Sequence, residues 1–260
     1  EIRVKVLGPE HPDTINSVNN LGLALSRLGK HDAAVATHRQ ALEIREKVLG
    51  ADHPDTISSA NNLGVSLFDL GKYDDAEAMH RRALEIREKV LGRDHPDTST
   101  SANNLAIVLS RLGKRNEAEA MHRRALEIRE KAFGPEHPVT LNSVSYLGLA
   151  LFDLGKYDEA EAMHRRALEI REKVLGRENP DTVNSVCNLA VTFSSLRKYD
   201  EAEAMHRRAL ETREKVLGPE HPATLNSINN LGLALSDLGK YEEAEAMHRR
   251  ALEIREKVLG

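Results

Sequence analysis

Twelve histidines in a chain of 260 residues pose the first chemical question. Five precede proline, at His11, His53, His95, His137 and His221, and Asn179 fills the missing slot before Pro180, so the step is 42 residues throughout. A second set, His38, His80, His122, His164, His206 and His248, keeps the same step. Zinc needs its ligands within about 2 Å of one ion. Equivalent atoms on neighbouring helical units stand on the order of 10 Å apart, and His80 and His95 are separated by roughly 20 Å of mostly helical chain. No metal site is expected. The His-Pro residues read as caps and turn contacts, and the second set as aromatics at the rim of a core with a polar tip. Carboxylates are plentiful, but they alternate with Arg and Lys, and nothing isolates one in an apolar pocket suited to acid/base work. Cys187 stands alone and reads as a neutral substitution rather than a nucleophile. Glycine patterns that cradle phosphate, H-E-x-x-H and G-x-S-x-G are all missing. The expectation is a protein without enzymatic activity and without a cofactor.

Composition narrows the partners. With 37 Lys+Arg against 41 Asp+Glu, the net charge is -4, which leaves no basic excess to release counterions from a phosphate backbone. Four Phe, five Tyr and no Trp offer few stacking platforms for bases. Nucleic acid is therefore not an expected partner. Nor is a membrane, since no apolar run approaches the ~20 residues a span requires and no signal-peptide pattern opens the chain. A single Cys cannot form an internal disulfide, so a soluble and reducing compartment, the cytoplasm, is expected. The chain opens on Glu1 and closes on the Val-Leu-Gly that ends almost every internal stretch, and it reads as a fragment of a longer array.

The residues in question sit on a repeated element. Units of 42 residues run over 9–50, 51–92, 93–134, 135–176, 177–218 and 219–260, with 1–8 as the tail of a truncated upstream helix; 51–92 and 219–260 are identical at 31 of 42 positions. In 51–92, Pro54 opens helix A with Asp52 or His53 as its cap and Asp55 in the first turn, where an acid favours the positive end of the helix dipole. Ala60, Leu63, Leu67 and Leu70 form its apolar stripe, and Gly71 ends it. Asp74 is expected to cap helix B, whose broad face carries Ala76, Met79, His80, Ala83, Leu84, Arg87, Val90 and Leu91 before Gly92 stops it. Glu77, Arg81, Glu85 and Lys89 alternate in sign on the other side and read as a solvent-exposed face. Such a hairpin cannot bury both apolar faces alone. Gly64, Ala76 and Ala83 let neighbours approach closely, and the predicted architecture is an all-α, right-handed α-solenoid of six helix-turn-helix repeats.

Leu63-Gly64, Leu67, Gly71, Tyr73, Ala76 and Ala83, at these offsets, resemble the tetratricopeptide repeat (TPR). The 42-residue length, the Asn-Asn-Leu element and Ala-Leu-Glu-Ile-Arg-Glu-Lys-Val-Leu-Gly resemble its kinesin light chain-like subtype. The resemblance covers the whole chain and implies a scaffold that binds peptide segments of partner proteins in a concave groove lined by the A helices. His80 and its counterparts depart from the family, which usually has a large aromatic there. The fifth unit departs most, with Asn179, Cys187, Ala190 and Arg197 in place of His, Asn, Gly and Gly.

Six copies of one scaffold also show where variation is tolerated. Helix B barely changes, whereas helix A varies on the side away from its stripe. There the last turn reads Arg27, Asp69, Arg111, Asp153, Ser195 and Asp237, its neighbour includes Phe68 and Phe152, and the first turn reads Asn16, Ser58, Thr100, Asn142, Asn184 and Asn226. Asn20, Asn62, Asn104, Asn188 and Asn230 lie between, with Tyr146 in the fourth slot. An amide offers donor and acceptor together, so this ladder suits the backbone of an extended peptide, with the flanking charges and aromatics selecting its side chains. The competing reading has the amides bonding neighbouring repeats to each other. Tyr146 is either a platform for a peptide side chain or a local plug. As alternatives to a binding module, the array could be a structural spacer or a head-to-tail self-assembling repeat module whose uncapped ends expose apolar faces.

Overall fold

The computed structural model describes residues 6–259, and of Leu259 only the backbone. Of the helical tail expected over 1–8, residues 1–5 lie outside the described residues, and Val6 and Leu7 are helical. Twelve longer helices follow: α1 (Pro12–Arg27), α2 (His31–Leu49), α3 (Pro54–Asp69), α4 (Tyr73–Leu91), α5 (Pro96–Arg111), α6 (Arg115–Phe133), α7 (Pro138–Asp153), α8 (Tyr157–Leu175), α9 (Pro180–Ser195), α10 (Tyr199–Leu217), α11 (Pro222–Asp237) and α12 (Tyr241–Leu259). No strand occurs among the described residues. Odd-numbered helices are the A helices and even-numbered the B helices of six hairpins. Contacts gather into two compact units, Glu1–Gly134 and Pro135–Gly260, of three hairpins each.

The sequence dictates the helix ends closely. His53, and not Asp52, is the cap of α3: its Nδ1 accepts from the Asp55 amide at 3.2 Å, with Pro54 in the first turn. Asn179 does the same with Oδ1 at 2.9 Å, which is why an amide can replace imidazole there. At its other end α3 closes in a Schellman turn, with the Lys72 amide on the Leu67 carbonyl at 2.9 Å, the Gly71 amide on Phe68 at 2.9 Å, and Gly71 at φ +81°. Arg197 holds the equivalent place after α9 at φ 60°, alone among the described non-glycine residues in having positive φ. Helix B is not capped by Asp74. The turn is so tight that Lys72, the last residue of the Schellman motif, is already the N-cap of α4 and supplies no side-chain bond, while Asp74 and Asp75 sit in the first turn as dipole partners.

Packing follows the expected stripe, with two corrections. Ala60, Leu63 and Leu67 are buried, as are Ala76 and Ala83, at about 2 kcal/mol for each large aliphatic side chain removed from water. Val90 and Leu91, expected in the core, are instead exposed at the end of α4, where their counterparts Val48, Leu49, Val216 and Leu217 line open cavities rather than packed core. Nor does Arg87 join the apolar face as a packing residue. The arginine at this position is a clamp: Arg45 Nη1 donates to the Asp55 carbonyl at 2.8 Å and to Ser59 Oγ at 2.7 Å, while Nη2 donates to Asn16 Oδ1 at 2.6 Å. One guanidinium from α2 thus ties α1 to α3. Arg171 repeats the motif with Ser185 and Asn142, and Arg213 with Ala223, Ser227 and Asn184.

The charged side of helix B is not simply solvent-facing. Glu77 is 8% exposed and bonds Arg81 of its own helix and Lys114 of the next hairpin, at 2.8 Å each, and these cations hold its carboxyl below the usual range. Arg81 continues to Glu117 at 2.7 Å, and Lys89 pairs with Asp52 rather than with Glu85. The sign alternation therefore works between repeats as much as along one helix.

Candidate functional site

Every A helix carries one stripe at spacing i, i+4, i+7, i+11 on the side away from its buried leucines. In α3 the stripe is Ser58, Asn62, Val65 and Asp69; in α5 it is Thr100, Asn104, Ile107 and Arg111. α1 touches α3, α3 touches α5 and α7 touches α9, so their stripes lie side by side. Between α3 and α5 they enclose a pocket of about 230 Å³ lined by Val65, Phe68, Asp69, His80, Asn104, Ile107 and Val108. Phe68, Asp69 and Asn104, three residues singled out by sequence, thus converge on one cavity. Phe68 is half-buried, its ring 5.3 Å from that of Tyr73, so it forms a wall of the pocket and part of the hairpin core together. Phe152 stands likewise 5.2 Å from Tyr157.

The position at the third place of the stripe was not anticipated. It reads Leu23, Val65, Ile107, Leu149, Val191 and Leu233. Val65 is 40% exposed and Leu233 59%, and Leu23, Leu149 and Val191 are exposed as well. The signal was available: the position stays aliphatic in six copies although it falls outside the buried stripe. Half-exposed aliphatics beside amides and charges give each stripe an apolar centre and polar ends.

The amides divide between the two readings. Asn62 Nδ2 donates to Asn19 Oδ1 at 3.1 Å and Asn104 Nδ2 to Asn61 Oδ1 at 2.8 Å, which are bonds between repeats. In α9 and α11 the acceptor is missing. Register places Ser145 where Asn188 would find its partner and Cys187 where Asn230 would, and neither Asn188 nor Asn230 has a side-chain bond among the described residues. Ser145 instead donates to the Leu141 carbonyl and accepts from Arg171 at 2.9 Å. Burial of Cys187 pushes its thiol pKa up, which disfavours the thiolate a nucleophile requires. Tyr146 is 37% exposed and close enough to Arg171 to be felt electrostatically. Asn20, Arg27, Asp69, Arg111 and Asp153 are exposed, and within α1, α3 and α5 the last-turn charges run plus, minus, plus.

Beneath the stripe lie five of the second histidine set, His38, His80, His122, His164 and His206, whereas His248 of the last hairpin is exposed. His80 is 1% exposed, and a Cβ added to Gly64 would stand 2.7 Å from its Cε1, so the ring fills the space that a side chain at 64 would take. It is a core residue and not a rim residue. Burial lowers the pKa of His80, His122, His164 and His206 to about 4. His38 binds Ser66 Oγ through Nδ1 at 2.8 Å, and His122 Nδ1 binds Asn103 Oδ1 at 2.9 Å. No group of three or more His, Cys, Asp or Glu is arranged to hold a metal among the described residues.

The family profile described as tetratricopeptide repeat matches residues 1–47, 18–77, 55–131, 102–150, 139–215 and 188–257. The chain belongs to the tetratricopeptide repeat family. Solved structures share the fold. The putative kinesin light chain nearly identical TPR-like repeats of Podosopora anserina are 25% identical over 79% of this chain and 97% of that one, with a TM-score of 0.71. BtubC (BKLC) from P. vanneervenii is 24% identical over 87% of this chain and 91% of that one, with a TM-score of 0.74. The apo form of RapI has the same fold at 14% identity, covering 94% of this chain and 98% of that one, with a TM-score of 0.67. No curated protein matches the sequence. This is a kinesin light chain-like TPR array, and proteins of the TPR family are in general protein-interaction scaffolds. No described helix is long and apolar enough to cross a membrane.

Proposed function

We propose that this TPR array binds peptide segments of partner proteins along the stripes of its A helices. The row of half-exposed aliphatics, Val65 and Ile107 in one unit and Leu149, Val191 and Leu233 in the other, carries the reading. A residue that stays aliphatic in six copies while remaining in water is retained for contact rather than for packing. Asn188 and Asn230 supply free amides for a peptide backbone, and Asp69, Arg111 and Asp153 select charges on its side chains. In the first unit the pocket beside Phe68 accommodates one apolar side chain of the ligand.

Selection of peptides from a displayed random library on the intact chain tests this, with a Val65→Ser, Ile107→Ser, Val191→Ser variant in parallel. Enriched peptides that the variant loses at unchanged helicity support the groove. Enrichment indifferent to all three substitutions sinks it.

A second reading has one observation in its favour. Leu252 of α12 is 57% exposed where Leu84 is 7%, and Leu21 of α1 is 54% exposed where Leu63 is 4%. The two surfaces are halves of the interface that internal hairpins make, so this 260-residue chain should associate head to tail at high concentration. Light scattering at millimolar chain decides: a monomer there refutes association.

A further inference from the structure

A cavity of about 300 Å³ lies where α9, α10 and the start of α11 meet, lined by Val183, Thr212, Arg213, Val216, Leu217 and Ala223 among others. It is independent of the peptide stripe of the A helices except at Asn184, on its edge. The first unit has the same cavity at α1, α2 and α3, where it measures about 210 Å³ and Asp55 lines it beside Arg45. The internal copies act as controls for each other. Arg45, Arg87 and Arg171 each feel a carboxylate ten residues on, at Asp55, Asp97 and Asp181. Arg213 finds Ala223 there instead. Among the described residues it makes no ion pair, and it donates to the Ala223 carbonyl at 3.1 Å, to Ser227 Oγ at 2.8 Å and to Asn184 Oδ1 at 3.0 Å. Three of five N–H groups are thereby used, which leaves Nε–H and one Nη2–H.

The walls changed together with the charge. Thr212 replaces the isoleucine found at 44, 86, 128, 170 and 254, which shortens the side chain, and its hydroxyl is turned to the Arg208 carbonyl at 2.9 Å, leaving no donor to the cavity. Glu178, the one carboxylate on the rim, is committed to Lys215. The result is a small apolar chamber beside a guanidinium whose internal counter-ion has been deleted. We propose that this chamber binds a carboxylate carried on a short apolar body, with the carboxylate on Arg213 and the body against Val183, Val216 and Leu217. Guanidinium and carboxylate pair through charge-assisted bonds, and a chamber of this volume is at the small end of ligand pockets. The carboxylate has two sources, a free aliphatic acid or the C-terminal residue of another chain.

The test titrates the intact chain with hexanoate, with a short peptide ending in a free leucine carboxylate, and with the same peptide amidated, following the backbone amides of Thr212, Arg213 and Ala223 by NMR. Saturable shifts with hexanoate or with the free-acid peptide, in the millimolar range or tighter, are expected, and which of the two binds identifies the source. Ala223→Asp restores the acid that this scaffold already carries at 13, 55, 97 and 181, so it should fold and should bind about tenfold more weakly or not at all. Thr212→Ile should likewise fold and fill the chamber. No saturation by any probe, equal binding of the amidated peptide, or binding undiminished in Ala223→Asp overturns the proposal.

Discussion

The two compact units are built from near-copies of one hairpin, yet their amide ladders differ. In Glu1–Gly134 the ladder is closed, Asn62 on Asn19 and Asn104 on Asn61. In Pro135–Gly260 it is open, because Ser145 and Cys187 stand where the acceptors should be. The same Asn is a structural tie in one unit and an unpartnered donor and acceptor in the other. Residue type alone does not decide between these roles; the neighbour one repeat earlier does.

Acid should destabilise both units alike, and by the largest margin. His80 and His122 in the first unit and His164 and His206 in the second have folded pKa values of about 4 against 6.5 unfolded. Below pH 6.5 the unfolded chain binds protons that the folded chain refuses, so stability falls as pH drops from 6.5 towards 4, and it is fully present above 6.5. The four together amount to an upper bound on the order of 10 kcal/mol. Urea midpoints at pH 7 and 4.5, read by amide signals from each unit, should fall in both. A midpoint unchanged at pH 4.5 would falsify the neutral, buried state of these rings.

A steric lesion confined to the first unit should be next in size. Gly64→Ala drives a methyl to 2.7 Å from the packed His80 ring, and overpacking of this kind costs about 1–3 kcal/mol. Thermal unfolding measures it; a variant as stable as its parent would mean that the ring yields, as His122 and His206 must where Ala106 and Ala190 already replace the glycine.

Grafting the ladder should convert one unit to the other. Cys187→Asn gives Asn230 an acceptor, with an expected gain of about 0.5–1.5 kcal/mol and weaker peptide binding in the second unit. The reverse change, Asn61→Cys, should cost as much and free Asn104. Equal peptide affinity before and after the graft would separate the ladder from recognition. The smallest effect belongs to the turn after α9: Arg197→Gly relieves a left-handed non-glycine residue and should raise the denaturation midpoint by the equivalent of about 1 kcal/mol.

Repeat length, helix order and the proline and glycine punctuation were legible because each is a local rule restated six times. Three features were not. The Arg45 clamp reads in sequence as one charged residue among many, since its acceptors come from Asn16, Asp55 and Ser59 on other helices. The His80 ring lies against Gly64 sixteen positions earlier, a pairing across the hairpin that helical periodicity does not express. The aliphatic row at Val65 was hidden because attention to variable positions passes over one that varies only among Leu, Val and Ile. Of the candidate site, the polar and charged members were readable and the apolar centre between them was not.

The clamp also bears on how such a gene can change length. Arg45 takes one acceptor from the helix before it and two from the helix after, all at offsets fixed within the 42-residue step. Unequal recombination that gains or loses a whole repeat therefore hands each arginine a new neighbour with the same acceptors, whereas a break at any other spacing strands a buried guanidinium. Copy number can drift under such exchange while each arginine keeps its hydrogen-bond acceptors.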